Sequence, residues 1–325
     1  MLRMLRTFAV FTAMAGVCAA QLPDFYKKVA RVTWVVKSID APLQGWTALG
    51  LTDVRDAGEV PFVGQYRGKA GSGTVHAATG NLGGLAVDML QPPPGDNAFS
   101  AFLAEHGDGI FSIVHQVGSL EEMEKEVARM RGLGVAVLQT LGQEGGGPVF
   151  TYFDTGAQGK YVLGLMYWPA APPLAVAAQR PTHIAFVIRE LAPVSAYWAK
   201  LGFPAMSAGH ASPRAGHTYH GGPHSLAFDV GWLRHTQPYF EWIIPPQTPA
   251  NCYADTLKAH GEGIHHLGFQ VDDLAQTTAA YGKLGHQPVQ TGGWGEDGKK
   301  NSGRYAYMDT DAIGGVTAEV IQTFN

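Results

Sequence analysis

The sequence predicts an α+β protein assembled from four copies of one small unit, each a strand, a short helix and then several further strands. Internal similarity carries that prediction. RVTWVVKSIDAPLQGWTALGL from Arg31 matches HIAFVIRELAPVSAYWAKLGF from His183, GDGIFSIVHQVGSLEE from Gly107 matches GEGIHHLGFQVDDLAQ from Gly261, and FTYFDT from Phe150 matches YAYMDT from Tyr305. The offsets are 152, 154 and 155 residues, and the strand-then-helix unit recurs within each half, from Arg31 to Ser112 and from His183 to His266. Composition agrees: 42 Gly and 20 Pro in 325 residues favour turns and short strands, which excludes a helical bundle or coiled coil. With 46% hydrophobic and 15% charged residues the chain can bury a sizeable core.

Along the chain, Arg3 and Arg6 precede an apolar run from Phe8 to Val17 and the small residues Ala19 and Ala20. This order reads as a cleaved secretory signal over residues 1–20, so the mature protein is expected to be exported, periplasmic or secreted, and without a membrane span. Cys18 falls within that segment, and Cys252 is then the one cysteine left, expected as a buried, idle thiol. Each half then opens on an alternating strand, a break and an amphipathic helix ending at Leu-Gly. Gly-punctuated β-like runs follow, GTVHAATGNLGGLAVDML in the first half and HSLAFDVGWLRHTQPYFEWII in the second. GQEGGGPV at Gly142 lacks the Lys-Ser/Thr of a phosphate loop and is expected to be a hairpin or lid. Pro and Ala crowd into WPAAPPLAVAAQRP, which divides a first domain over 28–168 from a second over 182–325, with a linker over 169–181. A net charge of −4 supplies no basic footprint for nucleic acid.

Four residues of the second half occupy repeat-related strand positions: His183 in PTHIAF, Glu241 in YFEWII, His266 in IHHLGF and Glu319 in TAEVIQ. Each unit contributes one His on its first strand and one Glu on its last. If paired units face one another, two imidazoles and two carboxylates converge, a donor set suited to one divalent ion (Zn, Ni, Co, Mn or Fe). The equivalent first-half positions hold Arg31, Asp88, Ser112 and Gly164, so that domain is expected to be degenerate and metal-free, with Arg31 paired to Asp88 where an ion would otherwise sit.

In these segments the sequence resembles the vicinal oxygen chelate superfamily, which contains glyoxalase I, methylmalonyl-CoA epimerase and extradiol ring-cleaving dioxygenases. GEGIHHLGFQVDDL looks like the epimerase segment opening the second module of a domain, and GGVTAEVIQ resembles the closing carboxylate strand. The resemblance spans about residues 28–325. It implies βαβββ modules paired into two eight-stranded open cups, with His266 and not His265 as ligand. His265 is expected to point away from the cup, towards a carboxylate or solvent.

Three chemistries fit such a site. The leading one is metal-assisted proton transfer, by an isomerase or lyase, on a small substrate with vicinal oxygens; Glu241 and Glu319 double as acid and base, and Tyr307 is placed beside them. The alternative is an extradiol-type dioxygenase using His183, His266 and Glu319. Its acid–base histidine is missing between Pro288 and Tyr307, though His210, His217, His220 or His224 can replace it. The third is a non-catalytic small-molecule-binding protein. Tyr239, Trp242, Trp294 and Tyr307 are candidate pocket walls, and residues 292–305 a candidate lid whose Lys299, Lys300 and Arg304 hold an anionic substrate. A homodimer is compatible with the sequence.

Overall fold

The protein is described here from a computed structural model covering residues 22–142, 147–171, 173–176, 180–212 and 216–324. The expected signal segment and residues 143–146 of the Gly142 loop lie outside the described residues. The first module comprises β1 (Arg31–Val35), α1 (Asp40–Ala48), β2 (Thr52–Tyr66), β3 (Lys69–Leu82) and β4 (Leu85–Gln91), followed by a connecting helix, α2 (Ala98–His106). The second comprises β5 (Gly109–Gln116), α3 (Leu120–Gly132), β6 (Val137–Gly142), β7 (Val149–Phe153), the single turn α4 (Gly156–Gly159) and β8 (Val162–Tyr167). The third has β9 (Pro181–Val187), α5 (Leu191–Lys200), β10 (Ser207–Ala211), β11 (His217–Tyr219), β12 (Gly222–His224), β13 (Phe228–Leu233) and β14 (Tyr239–Ile244), then a connecting helix α6 (Cys252–Ala259). The fourth has β15 (Gly263–Gln270), α7 (Leu274–Lys283), β16 (Pro288–Trp294), β17 (Ser302–Met308) and β18 (Thr317–Phe324). Helix starts follow the sequence directly: Ser119 accepts the Glu122 N–H at 3.0 Å to cap α3, and Asp273 accepts the Gln276 N–H at 2.9 Å to cap α7.

Both halves have the predicted α+β plan of paired βαβββ modules, and they close differently. The first sheet runs β1-β4-β3-β2-β6-β7-β8-β5 and returns to β1 as a closed barrel rather than an open cup. Its long hairpin is the reason: β2 and β3 have 15 and 14 residues, so the end of β2 reaches β6 and pairs Val63–Tyr66 with Gln139–Gly142. In the second half β10 has only five residues, and the sheet remains open. There the β11–β12 hairpin, inserted between β10 and β13, crosses to pair with β16 on the opposite module.

The two halves pack through the outer faces of β1, β5, β9 and β15. Strand alternation decides this: Ile184, Phe186 and Ile188 are buried in the shared core with Val32, Trp34 and Ile113, while His183, Ala185 and Val187 turn the other way, into the second cup. The interface repeats itself about a pseudo-two-fold axis. The Trp46 indole donates to the Ile313 carbonyl at 3.0 Å and the Trp198 indole to the Gly159 carbonyl at 3.1 Å. His106 and His260 each donate from Nδ1 to the other's carbonyl, at 2.8 and 2.7 Å. Cys252 is free and buried, and burial pushes its thiol up, which fits an inert side chain.

In the first barrel the register places Asp88 beside Thr33 as Glu241 lies beside Ala185, and Gly164 beside Val114 as Glu319 lies beside Gly268. Arg31 fills the corner thus defined: its guanidinium donates to both Asp88 oxygens at 2.6 Å, with both side chains nearly buried. Removing one partner strands a buried charge, whereas removing both does not. Arg31→Leu is therefore expected to lower unfolding stability by about 3 kcal/mol or more, and the Arg31→Leu/Asp88→Leu double variant to recover most of that loss. Urea unfolding of the three variants checks this; a double variant less stable than the single one contradicts it.

Candidate metal centre

The second cup gathers His183, His266 and Glu319 at one buried point. Neighbouring strands set the register: His183 of β9 lies opposite Gly268 of β15, Gly268 lies beside Glu319 of β18, and His266 lies opposite Ala185. Small residues thus alternate with the large donors. Gly268 is the sharpest case, since a Cβ there would lie 2.1 Å from the His183 ring. The donor atoms converge closely: His183 Nε2 and His266 Nε2 are 3.0 Å apart, and Glu319 Oε2 lies 3.0 and 3.2 Å from them.

These distances match what one ion requires. Donors at right angles around a cation with bonds of about 2.1 Å are about 3.0 Å apart. Glu319 Oε2 is buried and has no well-directed hydrogen bond despite its two close nitrogens, so the pocket leaves an acceptor unsatisfied. Burial by itself raises the Glu319 carboxyl, but His266 and His183 outweigh it and hold the group well below the usual carboxylate range. Burial likewise opposes protonation of His183, and Glu319 with Glu241 reverses the balance and raises its pKa. The two carboxylates beside the point favour positive charge at its centre. The His183 tautomer agrees: the Thr182 hydroxyl donates to the Gly268 carbonyl at 3.1 Å, so it accepts the His183 Nδ1–H at 3.1 Å and leaves the Nε2 lone pair facing the site. The three residues form a cluster that can hold a metal ion.

Glu241 stands beside the cluster as a looser fourth corner. Its Oε2 is 3.5 Å from His183 Nε2 and 3.9 Å from His266 Nε2, and the Trp232 indole holds Oε1 at 2.8 Å. Tyr307, opposite Glu319 on β17, is buried with its ring 4.9 Å from that of His266; its oxygen accepts the Tyr253 hydroxyl at 2.8 Å. Burial first, then the Glu319 carboxylate, raises the Tyr307 phenol well above its ordinary value, so it keeps its proton. Tyr239 stacks on His183 at 5.2 Å, with Glu241 on the same strand.

Several expected residues lie elsewhere. His265 does not point away from the cup: the ladder slips between Ile264 and His266, leaving His265 as the extra residue of a bulge, buried against Tyr253, Tyr307 and His266. Trp242 faces opposite to Glu241 and stacks on Phe186 in the shared core, as strand alternation requires. Trp294 is exposed and packs over Gly303. Residues 292–305 form most of the β16–β17 hairpin rather than a lid, and Arg304 pairs with Asp297 and lies over Phe324, on the face opposite Tyr305 and Tyr307. Of the four clustered histidines, His210 pairs with Asp229 on exposed β10, His217 and His224 face each other across the β11–β12 hairpin, and His220 turns its tip.

Two members of the site escaped sequence reading. Trp232 and Arg234 sit on the hairpin before β14, with no motif to mark them. The Arg234 guanidinium lies 4.8 Å from the Tyr239 ring centre and 5.5 Å from that of Trp232, with no carboxylate partner among the described residues. A period-two count from Val230 puts Trp232 on the inward face, which is the signal available for it.

Residues 182–307 match the family model described as Glyoxalase/Bleomycin resistance protein/Dioxygenase superfamily. The fold is shared with a mutant 4-hydroxymandelate synthase from Streptomyces coelicolor, at a TM-score of 0.60 and 16% identity over 91% of this chain and 92% of that one. It is also shared with a fusion of a xylose isomerase-like TIM barrel and a 4-hydroxyphenylpyruvate dioxygenase, at a TM-score of 0.52 and 12% identity over 92% of this chain and 49% of that one. No curated protein sequence matches the chain.

The close approach at Gly268 gives a direct test of the donor geometry. Gly268→Ala is expected to displace the His183 ring and weaken binding of Co(II) at least tenfold, because the Cβ meets the ring and not a flexible tip. Competition with a chromogenic chelator measures it, and an alanine variant binding as tightly as the natural protein contradicts it.

Proposed function

We propose that the second domain is a divalent-metal enzyme of proton transfer, an isomerase or lyase acting on a small substrate with adjacent oxygens. His183, His266 and Glu319 hold the ion, and Glu241 moves the proton. A bound divalent ion supplies polarisation of the substrate oxygens, which acidifies the neighbouring C–H. The observation that carries the reading is the position of Glu241. A carboxylate within 4 Å of both imidazoles, 17% exposed and held at one oxygen by the Trp232 indole, has its other oxygen free to accept a proton. Tyr307, kept protonated, donates a hydrogen bond towards charge developing on the substrate. The N-terminal segment makes export part of this proposal, which favours substrates met outside the cytoplasm.

The test is exchange of substrate C–H for deuterium in D2O, read by NMR under nitrogen across 2-hydroxy and 2-oxo acids and ketones, with the metal-loaded protein. Exchange is expected without oxygen, and Glu241→Gln is expected to slow it at least a hundredfold while still binding one ion per chain. Equal exchange by natural protein and variant contradicts the assignment. One observation favours a second reading: three donors are tight and Glu241 is held back by Trp232, leaving a two-His, one-carboxylate set suited to iron and oxygen chemistry. Turnover that consumes oxygen and requires iron decides for that reading.

Arg234 sets the substrate charge within this proposal. An aromatic-clamped guanidinium without a carboxylate partner, one ring away from His183, fits a substrate bearing a carboxylate. Arg234→Gln is expected to raise KM for a 2-oxo or 2-hydroxy acid about tenfold and to leave the uncharged ketone unchanged; equal effects on both contradict it.

A further inference from the structure

The imidazole of His265 lies directly behind His266, with the two Nδ1 atoms 2.7 Å apart. One proton joins two nitrogens at that distance. If His266 Nε2 faces an ion, as proposed above, its lone pair must point there, so the single proton of neutral His266 resides on Nδ1. His266 then donates, and His265 Nδ1 accepts. The proton of His265 is thereby fixed on Nε2, an atom that is buried and has no hydrogen-bond partner among the described residues.

We propose that His265 is a positioning residue for the metal: it takes the His266 Nδ1–H, fixes the His266 tautomer and ring angle, and so sets the affinity of the site. Packing alone does not explain a histidine here. Its ring sits 5.4 Å from Tyr253 and 5.7 Å from Tyr307, surroundings in which a phenylalanine would bury no unpaired nitrogen. The same one-residue bulge occurs in the first barrel, where Phe111 takes the equivalent place between Ile110 and Ser112, so the bulge belongs to the fold and the histidine in it to the second cup. The other imidazole is served in the same way by different chemistry: His183 Nδ1 is matched by the Thr182 hydroxyl, whose own proton is committed to Gly268. Each of the two imidazoles therefore has one acceptor behind it, and each acceptor immediately precedes it in sequence.

The inference rests on the metal reading, and its test separates the two. Co(II) affinity is measured by chelator competition on the full chain for the natural protein, His265→Phe and His265→Asn, with thermal unfolding of the metal-free proteins as a control for folding. His265→Phe is expected to lose 10- to 100-fold in affinity, and His265→Asn, whose side-chain oxygen can accept the same proton, to recover most of it. Long-range 1H–15N NMR of the zinc-loaded natural protein is expected to show His265 protonated at Nε2 and His266 at Nδ1, a readout that needs no variant to fold. Unimpaired affinity in His265→Phe, or His265 protonated at Nδ1 in the zinc form, overturns the positioning role and leaves the metal site standing. A natural protein that binds no ion overturns both.

Discussion

Three donor atoms brought within 3.2 Å of one another at a buried point of the second cup are the constraint around which the second domain is arranged. Two imidazole lone pairs and a carboxylate oxygen do not sit together without something positive between them. Their convergence costs desolvation that the surrounding apolar wall, with Val187, Val230, Ile243 and Tyr253, does nothing to relieve. An ion of charge +2 relieves it at once. The tautomer of His183, the unsatisfied oxygen of Glu319 and the absence of a side chain at Gly268, whose place the His183 ring takes, all fit that one requirement.

The first domain shows what the fold does when the requirement is lifted. The same four strand positions carry Arg31, Asp88, Ser112 and Gly164, and the guanidinium supplies the positive charge in covalent form. Gly164 there is packed against Ser112, Val114 and Tyr152, so a carboxylate at that position has no room. The long β2–β3 hairpin then closes the sheet on β6. The second sheet, with its short β10, stays open, and the inserted β11–β12 hairpin crosses to β16 instead. One architecture thus yields a closed scaffold and an open chamber. They share the outer faces of β1, β5, β9 and β15, and through that shared core the first domain fixes the strand that carries His183.

Much of this was legible in the chain, because the repeat is a statement about three-dimensional equivalence. Matching Arg31 with His183 and Ser112 with His266 placed His183, Glu241, His266 and Glu319 on strands that meet in one cup, and the observed register of Asp88 and Gly164 reproduces that correspondence. The Arg31–Asp88 pair was legible for the same reason. What escaped depends on facts a period cannot carry. A one-residue bulge decides that His265 turns inward, and no pattern in IHHLGF announces it. Hairpin length decides whether a sheet closes, and the β-like run GTVHAATGNLGGLAVDML does not show how far β2 and β3 extend ahead of it. Strand parity was available for Trp242 and shows it facing the core rather than the chamber. Trp232 is reached by strand parity alone, with no motif to mark it, and Arg234 acts from the turn after β13, where neither periodicity nor the repeat has a claim.

The most direct test of the central claim is where a metal binds. Crystals of the full chain soaked in Co(II) or Zn(II) and measured at the absorption edge are predicted to show one anomalous peak per chain, between His183, His266 and Glu319, and none at Arg31 and Asp88. No peak at that point, or an ion held elsewhere while the three donors keep their present contacts, contradicts the account.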